Sequence, residues 1–368
     1  MHKFVIYSFI IPNTILFKFN IMKRIFFLLA ISSICLFVSC SKGSSGINNN
    51  PNDTLPHPPF TGTIITVAGG NALGNGANEL YNPVSAHFDA AGNLYVCDLG
   101  NDRVQMFPPN STSATNGTTV AGGNGAGSAA NQLNNPYNEF IDSVGDIYIA
   151  DYENNRVQEW LSGADSGITV AGGNGAGTGK NQLSGPAGVF VDRSGNIYVA
   201  DEVSNRIQKF PPNSTSASDA VTVAGGNGAG SAANQFNDPI SVYVDSIGNI
   251  YVDDIINNRI QKFPAGSTSA TNGTTVAGGT PGSAANCLSS PIGMSVDNAG
   301  NVYVADAGNN RIQKWAPGAV TGVTVAGANG QGAAANQFDN MEDVYVDANG
   351  NMYISDGGNN RVQEWKVN

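Results

Sequence analysis

The chain is 368 residues long, with 46 glycines, 12% charged side chains and a formal net charge of −11. Residues 1–39 hold four basic and no acidic side chains, so the remainder sets thirteen basic against twenty-eight acidic ones, a net charge of −15. So acidic a body lacks the basic footprint that a phosphate backbone needs, which argues against nucleic acid as a partner. No stretch after residue 40 keeps a helical apolar period, which argues against a helical fold.

The first feature in chain order is Met22-Lys23-Arg24 followed by an apolar run over 25–39. A basic n-region ahead of an apolar core too short to span a bilayer reads as an export signal, assigned to residues 1–39. A second apolar run precedes it, so the start is either Met22 or, with a longer leader, Met1. Leu36-Phe37-Val38-Ser39-Cys40 resembles a bacterial lipoprotein cleavage box, with Phe37 standing where Leu is usual three positions before the Cys. That resemblance implies that Cys40 becomes the lipidated N-terminus, with enough acyl chains for stable anchoring. Residues 40–62, rich in Ser, Gly, Asn and Pro, have almost nothing to bury and read as a flexible tether. The expected location is the cell envelope, lipid-anchored to a bacterial membrane, periplasmic or surface-exposed.

From residue 63 onward one unit of about fifty residues recurs six times. Each copy holds an Asp five residues before an Arg: Asp98 and Arg103, Asp151 and Arg156, Asp201 and Arg206, Asp254 and Arg259, Asp306 and Arg311, Asp356 and Arg361. Short apolar segments bounded by Gly, Asn, Asp and Pro mark four strands per unit, which predicts a propeller blade. In the third unit they are 188–192, 196–201, 206–210 and 221–225. Pro83, Pro136, Pro186, Pro239 and Pro291 open the first strands, with Met341 the exception. The Thr-Val-Ala-Gly strand occurs once before the first unit and not after Trp365. The predicted fold is therefore all-β, a six-bladed propeller over 63–368 whose N-terminal strand completes the last blade and leaves no edge open.

The pattern Pro-x-x-Val-x-Val-Asp-x-x-Gly-Asn-Ile-Tyr-Val-Ala-Asp-x-x-x-Asn-Arg-Ile-Gln-Lys-Phe resembles the NHL repeat family. It runs through residues 63–368 in six copies. The resemblance implies an interaction module, here one that binds a protein, peptide or glycan in the cell envelope without a cofactor. Some related six-bladed propellers are metal-dependent lyases or lactone hydrolases. That alternative would draw on Asn138, Glu139 and Asp343 at the channel mouth, with calcium as the ion that suits oxygen ligands. His87 is the single histidine within 63–368, which excludes a zinc site of several histidines.

A reaction site is built once, so charged pairs repeated in every unit are assigned to holding the blade together. Function is sought where the repeat varies. On the first strands the outliers are His87, Glu139, Glu342 and Asp343, which either converge on a cation or amine or stand as solvated channel residues. In the loops after the second strands they are Tyr152, and Ile255 and Ile256 beside Asp253, which either form a partner patch or pack against the next blade. The expected ligand face is the one shared by the loops joining strand two to three and strand four to one. Catalytic residues are not assigned.

Overall fold

The computed structural model describes residues 62–367; the export signal, the lipidation at Cys40 and the tether up to residue 61 lie outside the described residues. Twenty-four strands form six four-stranded antiparallel sheets. The first strands of the blades are Pro83–Phe88, Pro136–Ile141, Pro186–Val191, Pro239–Val244, Pro291–Val296 and Met341–Val346. Blades 1 to 5 run from first to fourth strand in chain order. Blade 6 ends with Arg361–Lys366 and is completed by Thr63–Gly69, which pairs antiparallel with it from Thr63 opposite Lys366 to Gly69 opposite Arg361, with a register shift between Thr66 and Ala68. First strands of successive blades touch all the way round, blade 6 against blade 1 included, so the ring is closed as the repeat count predicts.

Blades pack face to face, which is why the second strands carry apolar side chains on both sides. In Ile197–Asp201 every residue is buried. Ala200 and Ile207 of blade 3 meet Val242, Val244, Val252 and Phe263 of blade 4 in one cluster with Phe236. Removing the ring of fully buried Phe263 would cost about 3–5 kcal/mol, because such a site collapses only partly. The hairpins between first and second strands turn on a glycine. At Gly195 φ is +80°, and the Asp192 carboxylate accepts the N–H groups of Ser194 and Asn196 to close the turn.

The recurrent Asp and Arg fasten each blade. In blade 5 the Arg311 Nε donates to Asp306 Oδ2 at 2.7 Å, and the other five pairs lie at 2.6–2.7 Å. The second carboxylate oxygen of Asp306 accepts the Ser289 N–H in the loop entering the blade, while the guanidinium donates to Ala284 and Cys287 carbonyls of the same loop. One buried pair therefore ties the second strand, the third strand and the incoming loop. Burial pushes the Asp306 carboxyl up, against the pull of Arg311, Asn309 and the Ser289 N–H.

The Asn or Asp just before each Arg has its own duty. It sits in the left-handed region, at φ 53° for Asn205, where Asn and Asp are tolerated better than other side chains. From there Asn205 Oδ1 accepts the Asp238 N–H of the next blade at 3.0 Å, and Asp102, Asn155, Asn258 and Asn360 make the equivalent bond.

Candidate functional site

Along each first strand, side chains alternate between the two flanking blades. The second and fourth residues after the opening position face the next blade, and the third and fifth face the preceding one. The fourth-residue column is His87, Phe140, Phe190, Tyr243, Ser295 and Tyr345, all half-buried. Ring centroids are 5.7 Å apart for Tyr345 and His87, 5.1 Å for Phe140 and Phe190, and 5.2 Å for Phe190 and Tyr243. Five of the six blades thus line the channel with a ring, and blade 5 breaks the collar with Ser295, whose hydroxyl accepts the Val346 N–H at 3.1 Å.

A cavity of about 720 Å³ occupies the channel at this level. It runs from Asn138, Ser241 and Asp343 past the collar to the hairpin turns at 297–299 and 347–350. At the Ser295 gap it extends sideways to Tyr303 and Lys314, whose ammonium lies 5.1 Å from the Tyr303 ring centroid. The polar lining includes three carboxylates, Asp297, Asp343 and Asp347, against the one ammonium of Lys314. The lining mixes aromatic and aliphatic side chains with at least as much polar surface, a make-up that suits a ligand with both kinds of group.

Glu139 is the third residue of its strand, so it turns away from blade 3 and back toward blade 1. It is fully buried, accepts the Ser85 hydroxyl, and lies with Oε1 3.3 Å from His87 Nδ1. Burial works against a protonated His87, but the hydrogen bond and charge of Glu139, with Asp343 beyond, outweigh it and raise its pKa. The His87 side chain keeps 28% exposure and lines the cavity. Ser, His and Glu come together here, but the carboxylate takes the hydroxyl proton donor directly, so the imidazole does not activate Ser85 as a nucleophile.

Asp343 lines the cavity at its inner end, opposite the hairpin turns. Its Oδ1 accepts the Val344 N–H at 2.8 Å. Burial pushes its carboxyl up to about 6, against the pull of His87 and the Val344 and Ala86 N–H groups. It fits there because its neighbour is Gly293; a Cβ at that position would meet the Asp343 side chain and the Glu342 carbonyl. Asp253 lies deeper, opposite Ser241 on the second strand of blade 4. It is fully buried and neither carboxylate oxygen has a hydrogen-bond partner.

A family model described as NHL repeat matches residues 183–210 and 288–315. Two of the six blades carry recognised NHL repeats. Solved structures like it include a structural genomics protein of unknown function from Bacteroides thetaiotaomicron, at 15% identity and TM-score 0.60, covering 82% of this chain and 74% of that one. An auxiliary nutrient binding protein from the same organism matches at 14% identity and TM-score 0.59, covering 82% and 75%. A candidate gluconolactonase matches at 10% identity and TM-score 0.55, covering 83% and 92%. At such identities the likeness is one of fold. No curated protein matches the sequence.

The propeller brings together only some of the residues singled out from sequence. His87, Glu139 and Asp343 gather at one sector of the channel, where blades 6, 1 and 2 meet. Glu139 is not a solvated channel residue, since Ser85 and His87 enclose it. The oxygens proposed for calcium do not converge: Asn138 Oδ1 accepts the Val189 N–H of blade 3, whereas Glu139 faces blade 1. Among the described residues, no three His, Cys, Asp or Glu side chains are placed to hold a metal ion.

Tyr152, Ile255 and Ile256 belong to the opposite end, in the turns Tyr152–Asn154 and Ile255–Asn257. Tyr152 stacks on Tyr137 of its own blade at 5.4 Å, and a whole blade separates it from Ile255, so the joint patch expected of them does not form. Ile255 is half-buried, and Ile256 is 41% exposed. Glu342 is buried and accepts from Asn340 Nδ2. The cavity opens at the hairpin end, away from the expected ligand face. The aromatic column and its single Ser295 are as visible in the aligned repeats as the charged outliers are.

Proposed function

We propose that the chain is an exported binding propeller, held to the membrane by lipid on Cys40, that takes a small organic group of a glycan or peptide into the channel cavity at its hairpin end. The observation that carries this reading is the collar of five rings around a cavity of about 720 Å³, a size that suits ligand capture. Flat ring faces offer large apolar contact at low conformational cost, while Asn138, Ser241, Ser295 and Asp343 supply polar partners. A binding role agrees with the Ser85, Glu139 and His87 arrangement, in which the imidazole contacts the carboxylate and not the hydroxyl.

The test is calorimetric titration of the purified propeller with a panel of neutral disaccharides, amino sugars and capped dipeptides. At least one should bind, and Tyr243→Ala and Phe190→Ala should each weaken it tenfold or more while the protein stays folded at the assay temperature. A ligand whose affinity responds only to changes at Ile255 and Ile256 would move the site to the other face. Membrane attachment is tested separately: Cys40→Ser should release the protein into the soluble fraction, and continued retention would refute the anchor.

A further inference from the structure

We infer that the cavity is built for an organic cation, an alkylammonium group seated within the aromatic collar with the Asp343 carboxylate as its counter-ion. This rests on the reading of the cavity as a ligand site and specifies the ligand's charge.

Three observations support it. First, the collar presents Phe or Tyr rings from four blades, Phe140, Phe190, Tyr243 and Tyr345, around a common axis, and a cation within about 6 Å of such a ring face gains from its quadrupole, more so when desolvated. The fold already uses this contact at Lys209 over Tyr198, Lys262 over Tyr251 and Lys314 over Tyr303, with 4.9–5.2 Å between ammonium and centroid. Second, the cavity's charge is lopsided. His87 is matched by Glu139, and Lys314 lies out in the side lobe near Asp297 and over Tyr303, so Asp343 at the inner end keeps a net negative field. An anionic ligand would meet three carboxylates on the lining; a cationic one is drawn in. Third, the chain outside the leader carries −15, which steers cations toward any cleft it lines.

The probes are choline and 3,3-dimethylbutan-1-ol, which have nearly the same shape and differ in charge. A second pair is capped lysine and capped norleucine, which presents the same contrast on a polypeptide. The purified propeller should bind choline or capped lysine at least tenfold more tightly than the neutral partner; the pair that shows the preference tells whether the head is borne by a small molecule or by a protein. Asp343→Asn should weaken the charged probe at least tenfold and so remove the preference. Tyr243→Leu, which leaves the buried charges alone, should reduce it severalfold even if Asp343→Asn fails to fold. Equal affinity for charged and neutral probes would overturn the cation assignment and leave the cavity reading standing. No binding of any of the four, with ligands found in the wider panel, would overturn it as well; no binding in either set would remove the cavity reading itself.

Discussion

Asp253→Ala should stabilise the protein. The carboxyl is fully buried with both oxygens unpartnered, and the equivalent position holds Ala150, Ala200 and Ala305 in three other blades, so the smaller side chain suits the packing. Burying a polar group without a hydrogen bond costs about 1–3 kcal/mol by mutational measures. For a body of about 300 residues the unfolding entropy is roughly 0.6 kcal/mol/K, so a gain of about 2 kcal/mol raises the melting temperature by about 3 °C. Burial, and then the charges of Asp254, Asp343 and Asp306, push the Asp253 carboxyl well above its ordinary range. The folded protein therefore holds this proton to higher pH than the unfolded chain. Its ionisation costs nothing below the unfolded value near 4 and destabilises the fold increasingly as pH rises toward the folded value. Alanine has no such dependence. Calorimetric melts of both proteins at pH 4 and pH 8 should show a larger gain at pH 8. A variant that melts lower than wild type, or a gain independent of pH, would refute the assignment of Asp253 as an uncompensated buried acid.

Asp306→Ala leaves Arg311 buried and unpaired, and should lower stability by about 3–5 kcal/mol in denaturant titrations. The double change with Arg311→Met should cost less than the sum of the two singles, and strict additivity would argue against the pair acting as a unit. Gly293→Ala forces a Cβ against Asp343 and the Glu342 carbonyl, with an expected loss of about 1–3 kcal/mol; an unchanged unfolding midpoint would show that blade 6 yields freely there. Deleting Thr63–Gly69 leaves Arg361–Lys366 with an open edge, and light scattering should show association in place of a monodisperse species. Cys97 is a fully buried thiol, so a thiol reagent should label it only after unfolding; rapid labelling at Cys97 in the folded protein would contradict its burial.

The fold was legible because each constraint repeats. Prolines at strand starts, glycines in hairpins and an Asp five residues before an Arg recur at a fixed interval, and the missing outer strand after Trp365 showed how the ring closes. The site was less legible, because it is made of differences. Glu139 looked like a channel residue until its parity along Pro136–Ile141 turned it toward blade 1; being one residue off in a strand exchanges one flank for the other. Asp253 stood out only as a neighbour of Ile255, whereas its pairing with Ser241 places it between blades. The Asn205 column was visible as part of the motif, yet its bond to the next blade depends on a left-handed backbone that spacing alone does not reveal.

Closing the ring with the first strand has a consequence for how the chain folds. Thr63–Gly69 leaves the ribosome before any blade does, but its partner Arg361–Lys366 is made after every other strand of the ring. Bringing together ends about 300 residues apart carries a loop-closure cost of roughly 5 kcal/mol if nothing between them is ordered. The intervening blades remove most of that cost by folding in turn and carrying the last strand round the circle to the first. The oldest strand is thus the last to pair, and until it does, blade 6 has an unsatisfied edge that makes the final step of assembly the one most exposed to misassociation.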